Sequence, residues 1–317
     1  IGRTAAAGPN AYSDNCRTRG GGGGAEPADE VALAQLLRRT DVPDQGVFAP
    51  VTIPASHTGF AARQALVWVP PAWFARPRPP LPVIVLLHGT PGSPQDWTDG
   101  GMADDTADAF AAAHGGRAPI LVMPDINGTL DADTECVDGP AGQVETYLTA
   151  ILPAFARSTF RTAAPGREWA VAGLSEGGSC AAMLALRHPG VFSTFGAYSG
   201  LAGPRLGDTN DDTASTITGL FGGSAREFAA HEPSDLLAAR SYPDTGAWFE
   251  VGAQDGQPVA ATGELVPLAR RAGIATCEVV IPGGGHTFEV FSRAFSDSLP
   301  WMAGRLGLVP GVACPPG

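Results

Sequence analysis

Apolar residues along this chain fall into short runs separated by longer Ala- and Leu-rich segments, the pattern of strands alternating with helices. Pro82-Val83-Ile84-Val85-Leu86-Leu87 and Trp169-Ala170-Val171-Ala172 are continuous apolar stretches of strand length, suited to a sheet buried on both faces. Reading each such run in turn predicts strands at 47–53, 63–69, 82–87, 119–123, 168–173, 193–198, 247–252 and 276–281. The segments between them predict helices at 30–39, 103–114, 142–157, 177–188, 260–272 and 288–304. The first two strands read as an antiparallel entry, and the alternation afterwards predicts an α/β fold with a mostly parallel central sheet and helices on both faces. Residues 201–240 carry no strong strand signal and read as an insertion or lid.

At four places the polar residues carry chemistry. Gly173-Leu174-Ser175-Glu176-Gly177-Gly178 stands between an apolar strand and the helix-forming Ser179-Cys180-Ala181-Ala182-Met183-Leu184. With 42 glycines in 317 residues, G-x-S-x-G arises easily by chance. The strand-turn-helix setting is what makes Ser175 a candidate nucleophile, because a strand reversing sharply into a helix excludes bulky neighbours. A nucleophilic serine needs a base, and the base an orienting acid. His286 follows the strand Val279-Val280-Ile281 and the turn Pro282-Gly283-Gly284-Gly285, where a catalytic loop is expected. His231, at the end of a helical segment, reads as a capping or surface residue. For the acid, Asp255 lies in the loop after Ala247-Trp248-Phe249-Glu250-Val251-Gly252, with Glu250 inside that strand as runner-up. The N–H groups of Glu176 and of Thr90, in the His88-Gly89-Thr90 turn after strand 82–87, are the expected oxyanion-hole donors. His88 reads as shaping that loop. Trp97, Trp248 and Phe288 are candidates to line an acyl channel or a carbohydrate platform. Asp125-Ile126-Asn127-Gly128 reads as a pocket wall or a plain turn.

Four blocks in this order, Leu86-Leu87-His88-Gly89-Thr90-Pro91-Gly92, the elbow at Ser175, Val251-Gly252-Ala253-Gln254-Asp255 and Pro282-Gly283-Gly284-Gly285-His286-Thr287-Phe288, resemble the esterase branch of the α/β-hydrolase superfamily, which includes esterase D-like enzymes, feruloyl esterases and mycolyltransferases. The resemblance spans residues 48–308. It implies a triad carried by Ser175, Asp255 and His286, with no metal and no organic cofactor. Many members have Met after the nucleophile where this chain has Glu176. Two readings of that carboxylate stand: it turns to solvent or pairs with an Arg, or it binds a cationic or hydroxyl-rich substrate group.

Composition narrows the setting. With 44% hydrophobic residues, 31–317 is long enough for a single catalytic domain. The net charge of -12 disfavours nucleic acid and anionic lipid as partners, and no run of about eighteen apolar residues spans a membrane. Residues 1–30, with a run of glycines at 20–24, read as a flexible tether, for which a signal peptide or membrane anchor upstream of Ile1 is expected. The five cysteines show no zinc spacing. Bridges Cys136–Cys180 and Cys277–Cys314 would brace the active-site floor and staple the tail, leaving Cys16 over; buried free thiols are the alternative. If the bridges form, the protein matures outside the cytoplasm. The sequence therefore predicts an extracytoplasmic serine esterase of a small-molecule, lipid or carbohydrate ester. An acyltransferase to a sugar or lipid hydroxyl, a peptidase and a non-catalytic hydrolase-like binding protein are the alternatives.

Overall fold

A computed structural model describes residues 26–315. Eight strands form one sheet: β1 (Val47–Val51), β2 (Ala65–Val69), β3 (Val83–Leu87), β4 (Ile120–Met123), β5 (Gly166–Leu174), β6 (Phe192–Tyr198), β7 (Gly246–Gly252) and β8 (Ala275–Ile281). Their order is β1-β2-β4-β3-β5-β6-β7-β8. The β1/β2 and β2/β4 pairs are antiparallel; all the others are parallel. The predicted entry hairpin and mostly parallel sheet are thus both present. Every residue of β3, β4 and β7 is buried, which is why β3 and β4 are apolar without alternation and β7 carries a single polar residue, Glu250. At the edge, β8 exposes Val280.

The principal helices are α1 (Glu26–Arg38), α2 (Ala103–Ala113), α3 (Leu152–Phe160), α4 (Glu176–Arg187), α5 (Thr213–Phe221), α6 (Ala225–Ala229), α7 (Pro233–Ala239), α8 (Gly256–Arg271) and α9 (Phe288–Arg305). Helix α1 begins at Glu26, inside the stretch read as tether; the rest of that stretch, with Cys16, lies outside the described residues. The single helix expected at 142–157 is instead a helical turn Val144–Thr146, a π-helical turn Tyr147–Ile151 and then α3. Pro153 supplies the reason: it has no N–H to give the fourth carbonyl behind it, so the hydrogen-bond register shifts before it. The 201–240 segment folds as the short helices α5, α6 and α7 between β6 and β7.

The strand order positions the site. From β3 the chain moves outward to β4, then returns to β5 on β3's other side and continues the opposite way through β8. The crevice beyond the C-terminal ends of β3 and β5 is the topological switch point, where open α/β sheets place ligands. The register Leu87↔Gly173 brings the His88-Gly89-Thr90 turn and Ser175 out side by side at that crevice.

Candidate active site

Ser175 closes β5 and precedes α4 with φ 56° and ψ -124°, a conformation that L residues rarely hold. Two glycines make the turn possible. A Cβ on Gly173 would meet the Gly177 carbonyl oxygen at 2.1 Å, and one on Gly177 would meet the Leu87 carbonyl oxygen at 2.3 Å. Both obstructions are backbone, so the x positions of G-x-S-x-G vary while its glycines cannot.

From the edge of the sheet come the partners. His286, in the turn between β8 and α9, places Nε2 2.9 Å from Ser175 Oγ. Its Nδ1 lies 3.0 Å from each carboxylate oxygen of Asp255, the residue preceding α8. Asp255 is buried, whereas the His286 side chain remains 43% exposed. The imidazole is therefore held at one nitrogen by a desolvated carboxylate and presents the other to the serine at the surface. Phe291 packs edge-on against the ring. The half-buried Phe288 packs against Phe291 and stands beside the same turn.

The loop after β3 completes the crevice. A Cβ on Gly89 would come within 3.0 Å of Ser175 Cβ, which sets the Gly89–Thr90 backbone directly against the nucleophile. His88 is fully buried; its Nδ1 donates to the Gly89 carbonyl at 2.8 Å, and its Nε2 meets the Ile126 N–H and Asp125 Oδ1. Its two ring nitrogens hold two loops together, the shaping role expected. As the first residue of α4, Glu176 carries an N–H with no carbonyl a turn earlier to receive it.

The Glu176 side chain turns neither to solvent nor to an arginine. It is 8% exposed, and its Oε2 accepts from the Thr90 hydroxyl and from Asn127 Nδ2 at 2.7 Å, while Oε1 accepts from the Glu135 N–H at 3.1 Å. Burial, and then the charge of Asp133, push its carboxyl up to about 7, against the hydrogen bonds of Thr90 and Asn127. Every hydrogen bond its carboxylate makes is to a protein group.

Asp125-Ile126-Asn127-Gly128 is the strut behind this loop. Asp125 has no exposed side-chain surface and accepts from the Arg63 guanidinium at 2.6 Å and from the N–H groups of Arg63 and Gly128. Burial raises its carboxyl, but His88 beside it and the hydrogen bonds and charge of Arg63 outweigh burial and hold it well below the usual carboxylate range. Asn127, whose place the sequence left open, bonds Thr90 Oγ1 at 2.5 Å as well as Glu176. The D-x-N-G spacing signalled a turn; nothing local signalled that Asn127 reaches across to the elbow.

Other expectations are corrected. Trp97 has no exposed surface and packs edge-on against Tyr198 and Phe295, so it offers a substrate no face. Trp248 is 1% exposed, packs on Trp301 and donates Nε1–H to Glu250 Oε2 at 2.8 Å. Both indoles are core. Glu250 is fully buried with that Trp, while His286 is bonded by Asp255. His231 caps α6 by donating Nδ1–H to the Glu227 carbonyl at 2.7 Å, but it is buried, not a surface residue, with Nε2 3.1 Å from Glu145. Both expected disulfides are formed, Cys136–Cys180 with Cα atoms 5.7 Å apart and Cys277–Cys314 with 5.3 Å.

An uncharacterized protein of Corynebacterium glutamicum is 36% identical over 296 residues, covering 89% of this chain and 68% of its own length. Esterase Rv1288 of Mycobacterium tuberculosis is 28% identical over 235 residues, 66% of this chain, and this chain spans only 49% of that protein. Among solved structures, a ferulic acid esterase superposes with a TM-score of 0.69 at 21% identity, covering 83% of this chain and 98% of that one, a likeness of α/β-hydrolase fold. The Esterase family, described as "Putative esterase", matches residues 61–302, around three quarters of the chain, and the chain belongs to that family.

Proposed function

We propose that the protein is an extracytoplasmic serine carboxylic-ester hydrolase working through an acyl-enzyme on Ser175. The observation that carries this reading is the continuous hydrogen-bonded line from Ser175 Oγ through the His286 imidazole to Asp255. His286 Nε2 takes the hydroxyl proton as Oγ attacks the ester carbonyl carbon, and Asp255 accepts from Nδ1–H and stabilises the imidazolium. The N–H groups of Thr90 and Glu176 receive the oxyanion. As the tetrahedral intermediate collapses, the C–O bond to the alcohol breaks and His286 returns the proton to the leaving oxygen. Water, deprotonated by the same imidazole, then attacks the acyl ester, releasing the acid and restoring Ser175. Phe288, half-buried beside His286, flanks the substrate at the rim of the site. The two disulfides support maturation in an oxidising compartment.

The test is intact-mass spectrometry after exposure to a fluorophosphonate probe. The wild-type protein is expected to gain one adduct, and Ser175→Ala none. His286→Ala should slow labelling by about 10³-fold or more, as loss of a triad member does elsewhere. Full labelling of folded Ser175→Ala would overturn the assignment. Release of short-chain acids from p-nitrophenyl esters then measures hydrolysis, and added sugar or lipid acceptors measure acyl transfer.

A further inference from the structure

Behind the elbow lies a cluster the esterase reaction does not use. Asp133, Glu135 and Glu176 each offer one carboxylate oxygen, and the three oxygens lie within 4.8 Å of one another. Asp133 and Glu135 belong to the loop 131–136, and Glu176 opens α4. Three carboxylates this close repel one another and need a counter-charge. The arginine beside them does not supply it, because the Arg205 guanidinium is engaged with Glu232 at 2.7 Å.

A second observation points to a ligand. Glu135 is 3% exposed, and no N–H or hydroxyl donates to its buried Oε2 or to the buried Asp133 Oδ1; the two carboxyl groups face one another. The neighbouring oxygens are satisfied: Asp133 Oδ2 accepts from the Gly207 N–H at 3.1 Å, and both Glu176 oxygens are bonded. Two facing carboxylate oxygens with no donor in the interior are costly until a cation or a shared proton comes between them, and a third carboxylate beside them favours the cation. The loop is also built to stay in place. Glu135 and Cys136 are consecutive residues with φ of 49° and 55°, and Cys136 is bridged to Cys180 of α4. A pocket lined by Asp133, Thr134, Val137, Leu206 and Leu220 opens the cluster to solvent on the Asp133 side.

We propose that Asp133, Glu135 and Glu176 form a binding site for a structural calcium ion that locks the 131–136 loop to the nucleophile elbow. An all-oxygen donor set with three carboxylates is the chemistry of a hard dication, and oxygens up to 4.8 Å apart suit the reach of about 2.3–2.6 Å that calcium makes to each. Magnesium, with shorter bonds and a strict octahedron, suits it less. Glu176 then has two functions: its N–H faces the crevice, and its carboxylate, through Thr90 and Asn127, ties the crevice loop to the ion. The ion takes no part in the acyl chemistry, so the site stands or falls independently of the esterase reading.

The test is calorimetric titration of chelator-treated, dialysed full-length protein with calcium chloride, alongside thermal unfolding in calcium and in chelator. The expected result is binding of one equivalent, with a thermal midpoint that rises with calcium and falls back in chelator. Magnesium should bind at least about tenfold more weakly. Asp133→Asn, at the solvent side of the cluster, should weaken calcium by roughly tenfold or more while the protein stays folded, and Glu135→Gln should abolish binding. No heat and no thermal shift in wild-type protein at about 10 mM calcium, beyond the range of extracellular calcium modules, would overturn the proposal whatever the variants do, leaving a shared proton between the carboxyls. Magnesium binding as tight as calcium would overturn the choice of ion. Fluorophosphonate labelling measured in parallel reports on Ser175 separately, so loss of one reading is not mistaken for loss of the other.

Discussion

Glu250 shows how a single buried side chain sets the pH dependence of stability. It has no exposed surface, receives one hydrogen bond from Trp248, and meets the Asp297 carboxyl, with no N–H or hydroxyl donating to its Oε1. Burial, opposed by the Trp248 bond and reinforced by Asp297, pushes its carboxyl up to about 7 from an ordinary 4.5. Between those values the unfolded chain releases this proton while the folded chain retains it. The unfolded state therefore binds fewer protons, and stability falls as pH rises from about 4.5 to about 7. The shift corresponds to roughly 3 kcal/mol, fully felt above the folded value. Glu250→Gln keeps the Trp248 bond and removes the charge, so it is expected to be more stable than wild type at pH 8 and nearly equal at pH 4. Urea midpoints across that range measure it; an unchanged slope would show that Glu250 ionises without cost. The sequence named Glu250 as runner-up acid because strand position alone does not say which way a side chain points. At the residue scale, the flanking glycines announce the turns that bring Ser175 and His286 within hydrogen-bond distance, whereas the surroundings of Trp97, Trp248 and Glu176 depend on what lies across from them and carry no local signal.

At the scale of elements, the two disulfides are nearly equal by loop length and unequal in position. They join residues 44 and 37 apart, and the chain-entropy account gives each about 4 kcal/mol. Cys136 and Cys180 are buried and tie the loop beneath Thr90 to the elbow helix α4. Cys277–Cys314 fastens an exposed tail to the edge strand β8, far from Ser175 along the sheet. Removing either bridge with serine is expected to lower the thermal midpoint, but only Cys136→Ser with Cys180→Ser should also slow fluorophosphonate labelling. Equal labelling rates in the two double variants would show that the bridge does not position the elbow. Strand boundaries came through in the sequence to within about two residues because strands buried on both faces are apolar throughout. Helix 142–157 did not, because periodicity says where an apolar face recurs and is silent on the register that Pro153 imposes.

Across the whole molecule, one carboxylate joins three segments distant in sequence. Glu145, in the turn before α3, holds Arg187 Nε at 2.6 Å and His188 Nε2 at 2.6 Å, both at the C-terminal end of α4, and His231 Nε2 at 3.1 Å from the 201–240 segment. Arg187 also donates to the Ala230 carbonyl. The 201–240 segment is thereby anchored to the far end of the same helix whose first turn carries Glu176, and also to the crevice side through the Gly207 N–H on Asp133. No sequence pattern foretold this hub, since Glu145, His188 and His231 sit in three separate segments and meet only once the sheet is wound. Burial raises the Glu145 carboxyl, yet the bonds from His188, His231 and Arg187 outweigh it and leave it well below its ordinary 4.5. A depressed folded value means the unfolded chain takes up the proton first, so this stabilisation is complete above about 4.5 and drains away as pH falls through and below that value. Breaking a fully buried ion pair costs about 3–5 kcal/mol; with the Arg187 side chain 23% exposed, about 2 kcal/mol is the expected loss at pH 7 for Glu145→Gln. The variant should unfold earlier at neutral pH and converge on wild type as the solution is acidified. Protease nicking within 201–240 should rise in the variant at neutral pH, because that segment loses its inner anchor while the sheet keeps its own. Denaturation midpoints from pH 7 down to 3, with cleavage sites mapped at each end, test both parts. A constant gap between variant and wild type across that range would mean the cluster acts by packing and not by charge.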